Sequence, residues 1–260
     1  MLEVNRVGYQ IGSHKILEDV SASFLPGKLS MIIGPNGSGK SSLLKIMSNE
    51  IHAYTGSIVY EGKELAIKDT VRLAKIRAVL SQHSELSFPL SVEEVVLMGR
   101  YPHFTFKPDA HDLLIVKQVM DKMEIRHLSE RNYLTLSGGE KQKTHFARVL
   151  AQIWEVPEKG CRYLFLDEPI AFMDLNFQHE FLRIARSFAG SNTVVVAVIH
   201  DLNLAIQYAD TVLALNKGRV IVQGPPEEVI TPVIIKEMYQ IESKLLRHMD
   251  VPFSILVANR

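Results

Sequence analysis

The residues with the clearest chemical capacity form one run, Gly34, Pro35, Asn36, Gly37, Ser38, Gly39, Lys40 and Ser41, with Ser42 directly after it. The run fits the pattern G-x-x-x-x-G-K-S, in which glycines let successive backbone N–H groups curl around phosphate oxygens. A helix starting there adds positive potential, Lys40 reaches the β- and γ-phosphates, and the Ser41 hydroxyl is a ligand for magnesium. The match lies between an apolar run and a helical pattern, which separates this reading from a glycine turn that binds nothing. A second chemical group stands at Asp167 and Glu168, where the apolar run Leu164-Phe-Leu166 ends in two adjacent acids. Paired carboxylates at a strand end are costly unless they meet a cation or water, and strand ends are where α/β proteins hold ligands. Asp167 suits a magnesium site. Glu168, on the other side, suits a base that orients and deprotonates an attacking water.

These groups need elements to aim them. Lys28–Ile33 is a short apolar strand that breaks into the glycine run, and Leu43, Leu44 and Met47 follow at helical spacing. Further strands are predicted at Gly56–Tyr60 and Arg77–Ser81, and the alternating start Met1–Val7 reads as a first strand. From about residue 88 to 156 the pattern is helical. Ser91-Val-Glu-Glu94 is a capping box, with Val92, Val95, Val96 and Gly99 on one face behind it. A later helix begins at Ser137-Gly138-Gly139 and places Phe146, Val149, Leu150, Ile153 and Trp154 on one stripe, with Lys141 to Thr144 at its exposed start. Strands return at Tyr163–Leu166, Thr193–Ile199 and Thr211–Leu215, with a helix over about 176–188 between the first two. This alternation predicts a mainly parallel sheet covered by helices. Asn216–Arg219 reads as a hairpin turn before Val220–Val222, and Thr231-Pro232 opens a terminal helix.

Composition narrows the function classes. The 260 residues carry 29 Lys+Arg against 29 Asp+Glu, a net charge of zero that excludes a binder driven by overall charge and argues against nucleic acid as partner. At 47% hydrophobic and 22% charged, the chain is globular rather than disordered. Its single cysteine, Cys161, can form no intrachain disulfide and no cysteine-rich metal site, which fits a reducing compartment. The apolar run Thr193–Ile199 is far shorter than the roughly 20 residues of a membrane-spanning helix, and the N-terminus does not read as an export signal.

Leu136, Ser137, Gly138, Gly139 and Glu140 precede a helix and lie 27 residues before Asp167. With the phosphate loop and the carboxylate pair they complete a set that resembles the ATP-binding cassette family over roughly residues 2 to 240. The resemblance implies an α/β fold: a P-loop NTPase, RecA-like core with a mainly parallel sheet (about 1–87 and 161–232), an antiparallel β-subdomain and an α-helical subdomain (about 88–160). A C-terminal helical or extended segment (about 233–260) follows. It also implies ATP and Mg2+ as ligands and a homodimer in which the Ser137–Gly139 turn of one copy caps the γ-phosphate held by the other. Gln82 matches the family's glutamine switch, beside Ser41 and Asp167 at magnesium. His200 matches the histidine that contacts the γ-phosphate, and Asp174 matches the aspartate of the loop between the two sites.

Two departures stand out. Ile170-Ala-Phe-Met-Asp174 lacks two hydroxyls usual in the loop that carries Asp174. Ile11 occupies the place before Gly12 where family members often stack adenine on an aromatic, with Tyr9 two positions earlier.

A cassette without a membrane span resembles the importer type, whose transmembrane permease is a separate chain, with a periplasmic or surface cargo-binding protein as indirect partner. The chain would then sit peripherally on the cytoplasmic face of the cell membrane. Val95–Phe104 is similar to the ATPases of iron-siderophore, cobalamin and haem importers, and the insertion Ala151–Arg162 and the stretch Asp174–His179 look like the haem group. Siderophore or cobalamin uptake is the alternative within that group. A non-transport cassette acting on ribosomes or DNA is disfavoured by the single copy and the zero net charge. His103 and His111 read as surface or interface residues rather than metal ligands.

Overall fold

The structure is a computed structural model that describes residues 1–53, 55–65, 70–81, 86–170, 173–190, 192–246 and 253–258. A long antiparallel pair, β1 (Leu2–Ile11) and β2 (His14–Phe24), leads into β3 (Lys28–Ile33) and α1 (Lys40–Met47). Next come β4 (Thr55–Tyr60), β5 (Lys63–Glu64), α2 (Thr70–Ile76) and β6 (Arg77–Leu80). A helical region holds α3 (Val92–Leu97), α4 (Ala110–Lys122) and α5 (Gly138–Gln152). The chain then alternates through β7 (Arg162–Asp167), α6 (Leu175–Phe188), β8 (Thr193–Val198), α7 (Leu202–Tyr208) and β9 (Thr211–Asn216). It ends in β10 (Arg219–Gly224), α8 (Pro226–Val229), α9 (Pro232–Tyr239), β11 (Ser243–Leu246) and β12 (Ile255–Ala258).

The strands form a six-stranded sheet in the order β10-β9-β3-β8-β7-β6 and a four-stranded sheet in the order β2-β1-β4-β5. The first is parallel except for β10, which returns beside β9; the second is antiparallel throughout. Alternate residues of the central strands enter two separate cores, as a strand's period of two requires when both faces are covered. Met31, Leu164, Leu166, Val195 and Ala197 pack with the helical region, whereas Ile32, Tyr163, Phe165, Val194 and Val196 pack with α1 and the four-stranded sheet. The strand tips, and whatever they carry, therefore emerge where these layers meet.

The Ser91–Glu94 capping box forms as predicted, and Asp109–Asp112 makes a second one at α4. Buried Arg100 ties the helical region together, donating to Asp112 (2.9 Å), to the Ala151 carbonyl (3.0 Å) and to Glu155 (2.8 Å). Thr144 differs from its expected place on an exposed helix start: it is fully buried, because its hydroxyl satisfies itself on the Glu140 carbonyl at 2.7 Å. Trp154 lies just past the end of α5, its indole N–H donating to Gln118, so it caps the stripe rather than extending it. The hairpin β11–β12 after α9 was not distinguished from helix in the sequence.

Candidate active site

The glycine run leaves the tip of β3 and turns directly into α1. Gly34 passes so close to β9 that a Cβ there would fall 2.1 Å from the Leu215 carbonyl oxygen. Gly39, at φ 100°, is the N-cap of α1, and a Cβ on it would meet Leu17 at 2.7 Å. Only glycine fits either position, for packing at the first and for backbone as well at the second. Hydrogen bonds from Ser38 N–H to Pro35 (3.2 Å) and from Gly218 N–H to Ser38 (3.0 Å) hold the loop against the β9–β10 turn. The Lys40 ammonium is buried and donates to the carbonyls of Gly34 (2.9 Å) and Pro35 (3.0 Å), spanning the loop it serves. Burial lowers its pKa, while Glu168 and Asp167 pull the other way.

Asp167 ends β7, and Ser41 at the start of α1 donates to its Oδ1 at 2.9 Å. Burial raises the Asp167 carboxyl, the Ser41 hydrogen bond opposes that, and the neighbouring Glu168 charge adds to it. Hydroxyl and carboxylate oxygens side by side are hard donors of the kind magnesium takes. Among the described residues no group of three or more His, Cys, Asp or Glu could cage a metal. The set fits an ion that keeps water and phosphate oxygens for the rest of its shell, as magnesium does.

Glu168 has a left-handed backbone, φ 49°, and its Oε1 lies 2.6 Å from His200 Nε2 beyond the tip of β8. A cleft of about 640 Å³ opens over these groups. Its floor runs through Asn36, Gly37 and Gly39 to Ser42, Glu168 and His200 form one side, and His14 and Ile16 of β2 contribute to its wall.

The structure thus unites the phosphate loop, Ser41, Asp167, Glu168 and His200, but not every predicted residue joins them. Leu136 to Glu140 do not line the cleft: Ser137 and Glu140 form a capping box at the start of α5, Leu136 is buried, and Gly139 abuts the Phe177 ring. Asp174 caps α6, accepting from Phe177 N–H at 2.9 Å. Gln82 lies outside the described residues. Neither Tyr9 nor Ile11 is among the lining residues, whereas His14 and Ile16, which sequence reasoning missed, are. Their only signal is the alternation of β2, and nothing in it shows that this strand passes beside Gly39.

His103 and His111 hold structural positions: the first bonds the Gln152 carbonyl and the second pairs with Glu155, both at 2.8 Å.

Comparison with known proteins gives a consistent picture. The ABC transporter family matches residues 17–171, from β2 through β7 and beyond the carboxylate pair. A hemin import ATP-binding protein of Gloeobacter violaceus is 46% identical over 95% of this chain and 90% of its own length. Its counterpart in Methylobacillus flagellatus is 41% identical over 100% of this chain and 97% of its own. Among solved structures, an inward-facing transporter assigned to the metal-chelate ABC type superposes with a TM-score of 0.83 at 25% identity, covering 100% of this chain and 97% of that one. A dimeric ATP-binding cassette bound to ADP and phosphate gives 0.73 at 20% identity, covering 87% and 99%, and shares the fold.

Proposed function

The chain belongs to the ABC transporter family of ATPases, and we propose that it is the ATP-hydrolysing subunit of a haem importer, acting as a homodimer beneath a separate transmembrane permease. The observation that carries the catalytic half of this reading is the contact between Glu168 and His200 at the edge of the phosphate-loop cleft. The loop N–H groups and Lys40 grip the β- and γ-phosphates from below. Glu168 orients a water for in-line attack and accepts its proton, while His200 holds the carboxylate and reaches the γ-phosphate. Ser41 and Asp167, with Gln82, would hold magnesium, which when bound neutralises phosphate charge.

Ser137 to Gly139 complete the site of the opposite copy, which is consistent with their absence from the cleft of their own chain. ATP therefore favours the closed pair, and hydrolysis releases it. A ligand drives a permease only through such a preference between states. His14 and Ile16 supply the base-side wall in place of a stacked aromatic.

Haem as cargo is supported by the names and the near full-length identity of the relatives, and by the insertion Ala151–Arg162 and the stretch Asp174–His179. No helix among the described residues is long and apolar enough to cross a membrane, in keeping with a peripheral subunit on the cytoplasmic face. A cargo-binding protein outside the membrane would deliver haem to the permease. The test is ATP turnover by the complex with its permease, reconstituted in lipid and exposed to haem, ferric siderophore or cobalamin. Haem alone is expected to stimulate; stimulation by either other cargo and not by haem overturns the assignment.

A further inference from the structure

The loop that carries His200 has few anchors of its own. Ile199 N–H bonds to the Ile32 carbonyl at 3.1 Å, after which residues 200 to 203 are exposed or half-buried until Leu204 enters the core. Asp201 caps α7 by accepting from Asn203 N–H (2.8 Å) and Leu204 N–H (3.1 Å), which fixes the loop to the helix, while Leu202 and Leu204 seat the first turn on the core from one side. The C-terminal hairpin supplies a hold. Asn203 Nδ2 donates to the Leu256 carbonyl at 3.2 Å, and Leu256 N–H donates to Asn203 Oδ1 at 2.7 Å.

One carboxamide thus satisfies both peptide groups of a residue in β12 that is paired on its other side with Leu245 of β11. An amide side chain is the one short group that offers a donor and an acceptor in the spacing of a neighbouring strand. We infer that Asn203 is a positioning residue for hydrolysis: the C-terminal hairpin, gripped through this amide pair, sets where the first turn of α7 sits and so where His200 meets Glu168 and the γ-phosphate. The inference rests on His200 acting at the γ-phosphate, as proposed above. It gives residues 243–246 and 253–258 a part in turnover although none of them lines the cleft.

The full-length protein tests this through ATP hydrolysis. Asn203→Ala is expected to lower kcat about tenfold with the KM for ATP unchanged, since the phosphate loop is untouched and small misplacements act on the chemical step. Leu256→Pro removes the backbone donor and should give the same loss, and the double variant Asn203→Ala, Leu256→Pro should be no slower than the slower single one. Should Leu256→Pro not fold, Asn203→Asp replaces it: that side chain keeps the acceptor and sets an oxygen against the Leu256 carbonyl, and a kcat loss is again expected. Unchanged kcat in Asn203→Ala, a loss that appears in KM instead, or additive losses in the double variant overturn the inference. His200→Ala separates the two layers: if it hydrolyses normally, the reading of His200 falls and the inference with it, whereas an inactive His200→Ala beside a normal Asn203→Ala removes the clamp alone.

Discussion

Glu168 adopts a left-handed backbone, φ 49°, which a residue with a side chain enters at a cost of about 1–2 kcal/mol. Such a cost is tolerated where geometry is needed for function, and here the carboxylate reaches His200. Replacing it by glutamine keeps the shape and the hydrogen-bonding reach and removes the proton acceptor. Glu168→Gln is expected to bind ATP normally and to release phosphate roughly a hundredfold more slowly or worse, the scale of a lost general base at about 3 kcal/mol. Phosphate release under single-turnover conditions, paired with nucleotide binding by calorimetry, measures both; near-normal release removes Glu168 from the chemistry. At this scale the sequence was most legible where chemistry dictates adjacent residues, as in Gly34–Ser41 and Asp167-Glu168. It was silent on the 2.6 Å meeting of Glu168 with His200, 32 positions away, except through family resemblance.

Among the elements, α5 carries the Ser137–Gly139 turn at its front and a buried histidine about two turns on. His145 Nε2 lies 2.7 Å from the Tyr133 hydroxyl, in the short turn that leads into α5, and its Nδ1 is buried without a partner among the described residues. Burial pushes its pKa down to about 4, with the charges of Arg148 and Lys141 adding to the effect. The unfolded chain takes up this proton near pH 6.5 and the folded protein only near 4. The stability tied to the neutral ring is therefore complete above 6.5 and is lost as pH falls between those values. The loss over that window is about 3 kcal/mol at most.

His145→Gln, which can still meet Tyr133, is expected to flatten the fall in urea midpoint between pH 6.5 and 4. Parallel curves for both proteins contradict the assignment. In the sequence His145 reads as a structural histidine, but its partner is not legible there, because Tyr133 lies 12 positions away in a separate turn. The strands β3, β7 and β8 were legible for the opposite reason: with both faces buried they are continuous apolar runs. The β11–β12 hairpin was not, since its strands are four residues each and half exposed.

The whole molecule presents a cleft over the phosphate loop that its own Leu136–Glu140 turn does not line, and under the proposed function a second copy supplies that wall. Two variants disable the two halves separately. Lys40→Ala removes the buried cation that the proposed function sets against the phosphates. Gly138→Asp alters the turn without disturbing the fold, because a Cβ at Gly138 meets nothing within 4 Å and an acid in the first turn of a helix is tolerated. It would set a negative charge where the partner's γ-phosphate arrives. Each variant alone should be nearly inactive. In a mixed pair, the cradle of the Gly138→Asp copy faces the intact turn of the Lys40→Ala copy, and one sound site is rebuilt. Random pairing makes half the dimers mixed with one good site in each, so an equimolar mixture should regain about a quarter of native turnover if the sites fire independently. A site built within one chain allows no such recovery, since every chain in the mixture carries a damaged half. Mixing the two purified variants and following phosphate release therefore distinguishes a shared site from a self-contained one, and a flat baseline would mean that each copy closes on its own nucleotide.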